Sequence, residues 1–201
     1  MARYTGPRTK VSRRARQLLD ENKASYFDRR PYPPGEHGRG RIRESQYQIQ
    51  LREKQKLRFT YGVLERQFRR YYQKAARQRG ITGENLLRLL EMRLDNAVFR
   101  SGFARTRPQA RQLVNHAHFL VNGKKVDVPS FQLRQGDVIT MRERSRDLFP
   151  VQQALDTVGR PHPEWLDIDA AERKVTVLMA PSRHQIDSQI QEQLVVELYS
   201  K

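Results

Sequence analysis

Residues 86–141 constrain the fold more than any other stretch, because an apolar period and a row of cations are written into the same residues. Leu86, Leu90, Leu94 and Ala97 fall three or four apart, the spacing of one helix face. The period predicts a helix that runs to Arg100, with Arg93 and Arg100, seven apart, on a second face turned away from the apolar one. Thr106-Arg107-Pro108-Gln109 reads as a capping box, with Thr106 as N-cap and a proline tolerated in the first turn. The helix it starts should bury Ala110, Leu113, Val114 and Ala117 and turn Arg107, Arg111, Asn115 and His118 outward. Next, residues 119–121 and 124–128 flank Asn122-Gly123, a pair whose tolerance of positive φ suits a two-residue hairpin turn. Gln135-Gly136-Asp137 then turns the chain into residues 138–141. Two helices and a hairpin thus make a small platform with arginines on the helix faces and Lys124 and Lys125 at the hairpin tip, a surface that fits an RNA backbone.

Charge bears on this reading through its distribution. The chain of 201 residues has a formal net charge of +17. Residues 1–80 hold 22 Lys/Arg against 7 Asp/Glu, residues 81–145 hold 11 against 6, and residues 146–201 hold 6 against 9. Self-repulsion of this size opposes compaction, and a polyanion that relieves it should be bound with strong salt dependence. In the first 80 residues 17 of the 22 cations are arginine, whose planar fork grips phosphate and stacks on bases, which favours RNA over an anionic lipid surface. No apolar run approaches the roughly 20 residues needed to span a bilayer, and the basic start has no signal-peptide core, so a cytoplasmic protein is expected. The absence of cysteine removes disulfides and thiolate metal sites together.

Residues 1–44 read as a basic arm carrying Arg3, Arg8, Lys10, Arg13, Arg14, Arg16, Arg39 and Arg41, with nothing in it to form a core unaided. A disordered tail and an arm that orders on RNA both fit this composition. Tyr4, Tyr26, Phe27 and Tyr32, spread among the cations as stacking surfaces, favour the second, with Leu18, Leu19 and Phe27 as hydrophobic anchors. Residues 45–79 carry a helical period broken at Gly62 and Gly80, with Lys54, Arg58, Arg66, Arg69 and Arg70 among the cations on the remaining surface. Most charges on such faces are solvated and nothing more; the excess of cations is what argues for phosphate. Residues 148–158 suggest a short helix, and residues 166–168 and 174–179 two strands that complete the hairpin's sheet. Trp165 is read as a packing anchor, with base stacking as the alternative. Ile186, Ile190, Leu194 and Leu198 suggest a last helix, packed on the helices of residues 45–80. The fold class is therefore α+β: a mostly helical domain from residues 45–85 and 181–201, an inserted RNA-binding domain of two helices on a small, mainly antiparallel sheet over residues 86–180, and the arm.

Residues 93–100, Ala110-Arg111-Gln112-Leu113-Val114-Asn115-His116 and Val121-Asn122-Gly123 resemble the S-four RNA-binding domain. Pro31-Tyr32-Pro33-Pro34-Gly35-Glu36-His37-Gly38, Leu51-Arg52-Glu53-Lys54-Gln55-Lys56, Tyr61-Gly62, Glu65-Arg66-Gln67-Phe68 and Glu197-Leu198-Tyr199-Ser200-Lys201 are similar, in order and nearly end to end, to the family of bacterial small-subunit ribosomal protein four. The resemblance implies the same divided helical domain. It also implies early binding to small-subunit (16S) rRNA, nucleating assembly, at an RNA helix junction. It further implies a place near the mRNA channel, neighbours in ribosomal proteins five and three, an influence on decoding accuracy, and in some members repression of their own message. Many relatives hold the arm around zinc with four cysteines; this chain has none, and a metal-free arm without cofactor follows, with His37 no zinc ligand.

Catalytic motifs are missing: there is no phosphate loop, no His-x-x-x-His with a nearby Glu, and no Gly-x-Ser-x-Gly elbow. His116 and His118, two apart, would point about 200° apart on a helix and could not chelate one metal. His116 reads equally as a partly packed side chain or an RNA contact. The weight of binding falls on Arg93, Arg100, Arg105, Arg107, Arg111 and Gln112, with Lys124 and Lys125. A structural rRNA-binding protein is the leading reading, without membrane or small-molecule partner. An RNA regulator acting off the ribosome, or an RNA-modifying enzyme, are the alternatives.

Overall fold

The computed structural model describes residues 4–20, 23–40, 43–157, 162–186 and 189–200, so the expected contacts Arg3 and Arg41 lie outside the described residues. The chain divides into two compact units, residues 1–86 with 188–201 and residues 87–187. The helices are α1 (Arg8–Ala15), α2 (Ala24–Asp28), α3 (Gln46–Thr60), α4 (Glu65–Ala76), α5 (Thr82–Glu91), α6 (Leu94–Arg100), α7 (Arg107–Asn115), α8 (Phe149–Thr157) and α9 (Glu192–Tyr199). The strands are β1 (Phe119–Val121), β2 (Lys124–Lys125), β3 (Val138–Met141), β4 (Leu166–Asp169) and β5 (Lys174–Val177).

In the first unit, Ser45 caps α3 with a full capping box: its hydroxyl accepts the Gln48 N–H at 3.3 Å while Gln48 Oε1 accepts the Ser45 N–H at 3.1 Å. The α3 helix buries Gln50, Glu53 and Lys54 beside Leu57, and a face this polar packs only because each group is partnered. Gln50 Nε2 donates to Glu197 Oε2 at 2.8 Å, so α9 closes on α3 as the sequence suggested. The last helix is shorter than its apolar period, however. Ile186 and Ile190 are buried ahead of it, and within it Val195 is the buried residue, one position from the expected Leu194. The arm also has a protein surface to pack on that its own composition does not reveal. Val11, Ser12 and Ala15 of α1 are buried, with α1 against α3.

The expected long helix of residues 86–100 breaks. Leu86, Leu90, Leu94 and Ala97 are all buried as their spacing requires, yet α5 ends at Glu91 and α6 begins at Leu94. Arg93 sits between them in extended backbone and bridges to Gln132. The Met92 carbonyl accepts the Leu133 N–H at 2.9 Å, so a distant loop supplies the bonds the helix gives up.

The sheet is antiparallel throughout, in the order β2-β1-β3-β5-β4. Asn122 (φ 51) and Gly123 (φ 76) make the hairpin turn, and the register pairs Val121 with Lys124 and with Ile139 on either side. Asn122 also ties the turn to β3: its side chain donates to Asp137 Oδ1 and accepts the Val138 N–H, both at 2.9 Å. Alternation then sends Phe119, Val121, Ile139, Met141, Val175 and Val177 to one face, against Leu94, Val98, Phe103, Leu113 and Val114 from α6, α7 and the loop between them. Burial of each such side chain contributes about 1.5–3 kcal/mol. Trp165, 1% exposed, belongs to this core, the anchoring role its sequence context suggested. The result is α+β, with the sheet-bearing module inserted in the sequence between the helical unit's two segments.

Candidate RNA interface

Glu91, 1% exposed, closes α5 and organises the cations around it. Its Oε2 accepts the Asn96 amide at 2.6 Å and Arg100 Nε at 3.2 Å, and its Oε1 accepts Arg100 Nη2 at 2.8 Å. Asn96, also buried, passes the order on: its Oδ1 accepts Arg107 Nε at 2.9 Å. The Arg107 guanidinium lies 4.4 Å from the centre of the Phe99 ring. Two half-buried arginines from different helices are thus held by a buried carboxylate and a buried amide. The sequence reading missed Glu91 and Asn96, although an acid inside a strongly apolar run is the signal for such a pair.

Thr106 caps α7 as expected, accepting the Gln109 N–H at 3.2 Å. The return bond goes one residue earlier than a capping box requires, from the Arg105 N–H to Gln109 Oε1 at 2.7 Å. From α7 the partly exposed Arg111 and exposed Gln112 continue the surface of Arg107, and Lys124 and Lys125 are exposed at the hairpin. His116 is exposed just past the helix end.

Arg93 is placed otherwise than its seven-residue spacing from Arg100 suggested. It is 3% exposed, and its Nε and Nη2 grip both carboxylate oxygens of buried Asp95 at 2.9 and 2.5 Å. The helix break turns it inward, where a charge is held only with a partner.

In the first unit the arm cations fall into two sets. Lys10 and Arg14 are exposed, whereas Arg8 pairs with Asp20 at 2.8 Å. Arg13 donates to the Tyr32 carbonyl at 2.9 Å, and the Arg13 and Arg39 guanidiniums lie 5.1 and 4.8 Å from the centre of the Tyr32 ring. The Arg39 bond to the phenol, together with the charges of Arg39, Arg30 and Arg13, holds Tyr32 below the usual tyrosine range. Gly38 lets this loop close: a Cβ there would lie 1.9 Å from the Pro33 carbonyl oxygen, so no other residue fits. On α4, Arg66, Arg69 and Arg70 are exposed.

Lys54 and Arg58 bind protein groups, reaching Glu65 Oε2 at 3.0 and 3.3 Å. Tyr199 of α9 donates to the other Glu65 oxygen at 2.7 Å and stacks on Tyr72 with centroids 4.7 Å apart. Burial pushes the Glu65 carboxyl up, but bonds from Tyr199 and Lys54 and the charges of Lys54 and Arg58 together hold it below the usual range. Burial, and then Glu65, push the Tyr199 phenol far up. Among the described residues no group of three His, Cys, Asp or Glu could hold a metal ion, and with no cysteine in the chain the donors of a thiolate zinc site are missing.

Residues 3–91 match the ribosomal protein S4/S9 N-terminal domain and residues 92–139 the S4 domain. The chain is 60% identical over 203 residues to small ribosomal subunit protein uS4 of Nocardia farcinica, with 100% of both chains covered. The chain belongs to the uS4 family. Similar full-length relatives are the uS4 proteins of Nocardioides sp., 60% identical over 202 residues, and Mycolicibacterium smegmatis, 57% identical over 202 residues, again with 100% of both chains covered. The uS4 family is one of ribosomal structural proteins rather than enzymes. In this uS4 chain the S4 domain takes in α6, α7, the hairpin and the first half of β3, so the Asn96, Arg100 and Arg107 cluster is internal to it, with Glu91 just outside. No described helix is long and apolar enough to cross a membrane.

Proposed function

We propose that the chain is a primary binder of small-subunit (16S) rRNA, ribosome-bound in the cytoplasm, that nucleates assembly of the subunit body by recognising an RNA helix junction. The observation that carries this is the pair Arg100 and Arg107, fixed from beneath by Glu91 and Asn96. Cations positioned before binding lose little rotamer freedom when phosphate arrives. A-form RNA hides its major groove from side chains, so a rigid cationic surface reads shape. Within the second unit Arg105, Arg111, Gln112, Lys124 and Lys125 extend the surface and His116 borders it; the first unit, taken by itself, offers Lys10, Arg14, Arg39, Arg66, Arg69 and Arg70 as further contacts. Arg93 and Lys54 serve the protein interior instead. Ribosomal proteins five and three, and mRNA near the channel through which it reaches the subunit, are the expected neighbours, with decoding accuracy influenced through protein five.

The test is competition between the folded 16S rRNA region and an unstructured strand of equal length for the purified chain. Preference for the folded RNA is expected; preference for the strand would defeat the reading. Omission of the chain from subunit reconstitution should stall assembly at an early particle.

A further inference from the structure

Beyond the Arg100 and Arg107 pair, the second unit gathers another set of basic groups around a strained backbone position. The α7 helix stops at Asn115, and Ala117 takes a left-handed conformation (φ 57), which costs a residue with a Cβ about 1–2 kcal/mol. The effect is to bring together two histidines that a continued helix would have separated. The His116 and His118 ring centroids lie 6.0 Å apart. Arg142 fixes this turn from the end of β3. Its N–H donates to the His118 carbonyl at 3.0 Å and its Nη1 to the Ala117 carbonyl at 3.3 Å. Buried Ser145 holds the His118 ring by a bond of 3.0 Å between Oγ and Nδ1, leaving Nε2 as the nitrogen that Ser145 does not engage. Arg144 and His116 are exposed beside it. Strain retained by packing on both sides is a mark of functional sites.

We propose that His116, His118, Arg142 and Arg144 form a second phosphate site for the RNA backbone, and that His118 takes up a proton when the phosphate binds. Without phosphate, burial and then the like charges of His116, Arg144 and Arg142 keep the His118 imidazole below its ordinary pKa, so it is neutral near neutral pH. A phosphodiester against the same groups reverses the sign of the local field and favours the imidazolium, whose second N–H becomes a charge-assisted donor. Binding and proton uptake are then linked, and RNA is held more tightly as the pH falls. The site rests on the rRNA-binding reading above and adds to it a pH response that arginines alone do not give.

The experiment measures the affinity of the full chain for the 16S rRNA region between about pH 8 and about pH 6. Wild type should gain affinity as the pH falls by up to about tenfold per unit, the limit for one linked proton. His118→Gln should abolish that gain. Arg144→Ala should flatten the dependence of log affinity on log salt by about 0.7–0.9. Independently of any variant, the His118 imidazole resonances of the wild-type chain should titrate at higher pH with RNA bound than without. If the pH profile is the same in wild type and His118→Gln and the titration does not move, the site is overturned while rRNA binding stands. If inorganic phosphate alone is captured in preference to RNA, the RNA assignment is overturned. If wild type ignores rRNA at every pH, the function proposed above falls with it.

Discussion

Asn96 stands between Glu91 and Arg107, giving its amide N–H to the carboxylate at 2.6 Å and its oxygen to the guanidinium at 2.9 Å. A single buried side chain therefore couples the end of α5 to the start of α7. Asn96→Ala leaves two charged groups short of a partner and should lower stability by about 1–3 kcal/mol. Urea unfolding should show a lower midpoint at an unchanged slope. An unmoved midpoint would mean that the two helices are held without it.

Arg93 and Asp95 make the opposite test, of a cation that faces inward. Arg93→Ala strands a buried carboxylate and should cost about 3–5 kcal/mol of stability. Where the variant remains folded, the salt dependence of rRNA binding should be that of the wild type. A flatter dependence would return Arg93 to the interface.

Arg107 and Arg111, one turn apart on α7, are the complementary pair. Replacing both with alanine should flatten the plot of log affinity against log salt by about 1.4–1.8, at roughly 0.7–0.9 per phosphate contact. Filter binding across a salt series reads this directly, and an unchanged slope removes the pair from the RNA surface.

Arg93 and Arg107 mark where sequence suffices and where it stops. Thr106 and Asn122-Gly123 are local signals whose chemistry lies within four residues: Thr106 caps α7 and Asn122-Gly123 turns the hairpin where they were read, while the return bond of Gln109 goes to Arg105 instead of Thr106. The break before Leu94 is invisible, because its apolar residues keep helical spacing across it and the bonds that replace the helix come from Leu133 and Gln132, some forty residues away. Once the break is missed, Arg93 is assigned to the wrong face. The polar packing of α3 on α9 fails for the same reason: Gln50 and Glu53 look like surface until their partners at the other end of the chain are known.

Tyr199 and Glu65 give a prediction that depends on pH. Tyr199→Phe keeps the stack on Tyr72 but loses the hydroxyl donor, and should cost about 1 kcal/mol, since Glu65 is partly solvated. Glu65 is held below its ordinary pKa in the folded chain. Its stabilisation is therefore complete above the unfolded carboxyl pKa and disappears as the pH drops through the folded one. The stability gap between wild type and Tyr199→Phe should narrow from about pH 5 to about pH 3. A gap of constant size would show that the hydroxyl does not stabilise the ionised carboxylate.

The partnership of α3 with α9 sets an order on the making of this protein. The core of residues 87–187 closes on residues of that stretch alone, whereas α3 is covered by α9, whose Glu197 lies 147 residues beyond its partner Gln50. A chain broken off before Glu192 would carry residues 87–187 whole but lack the helix that covers α3.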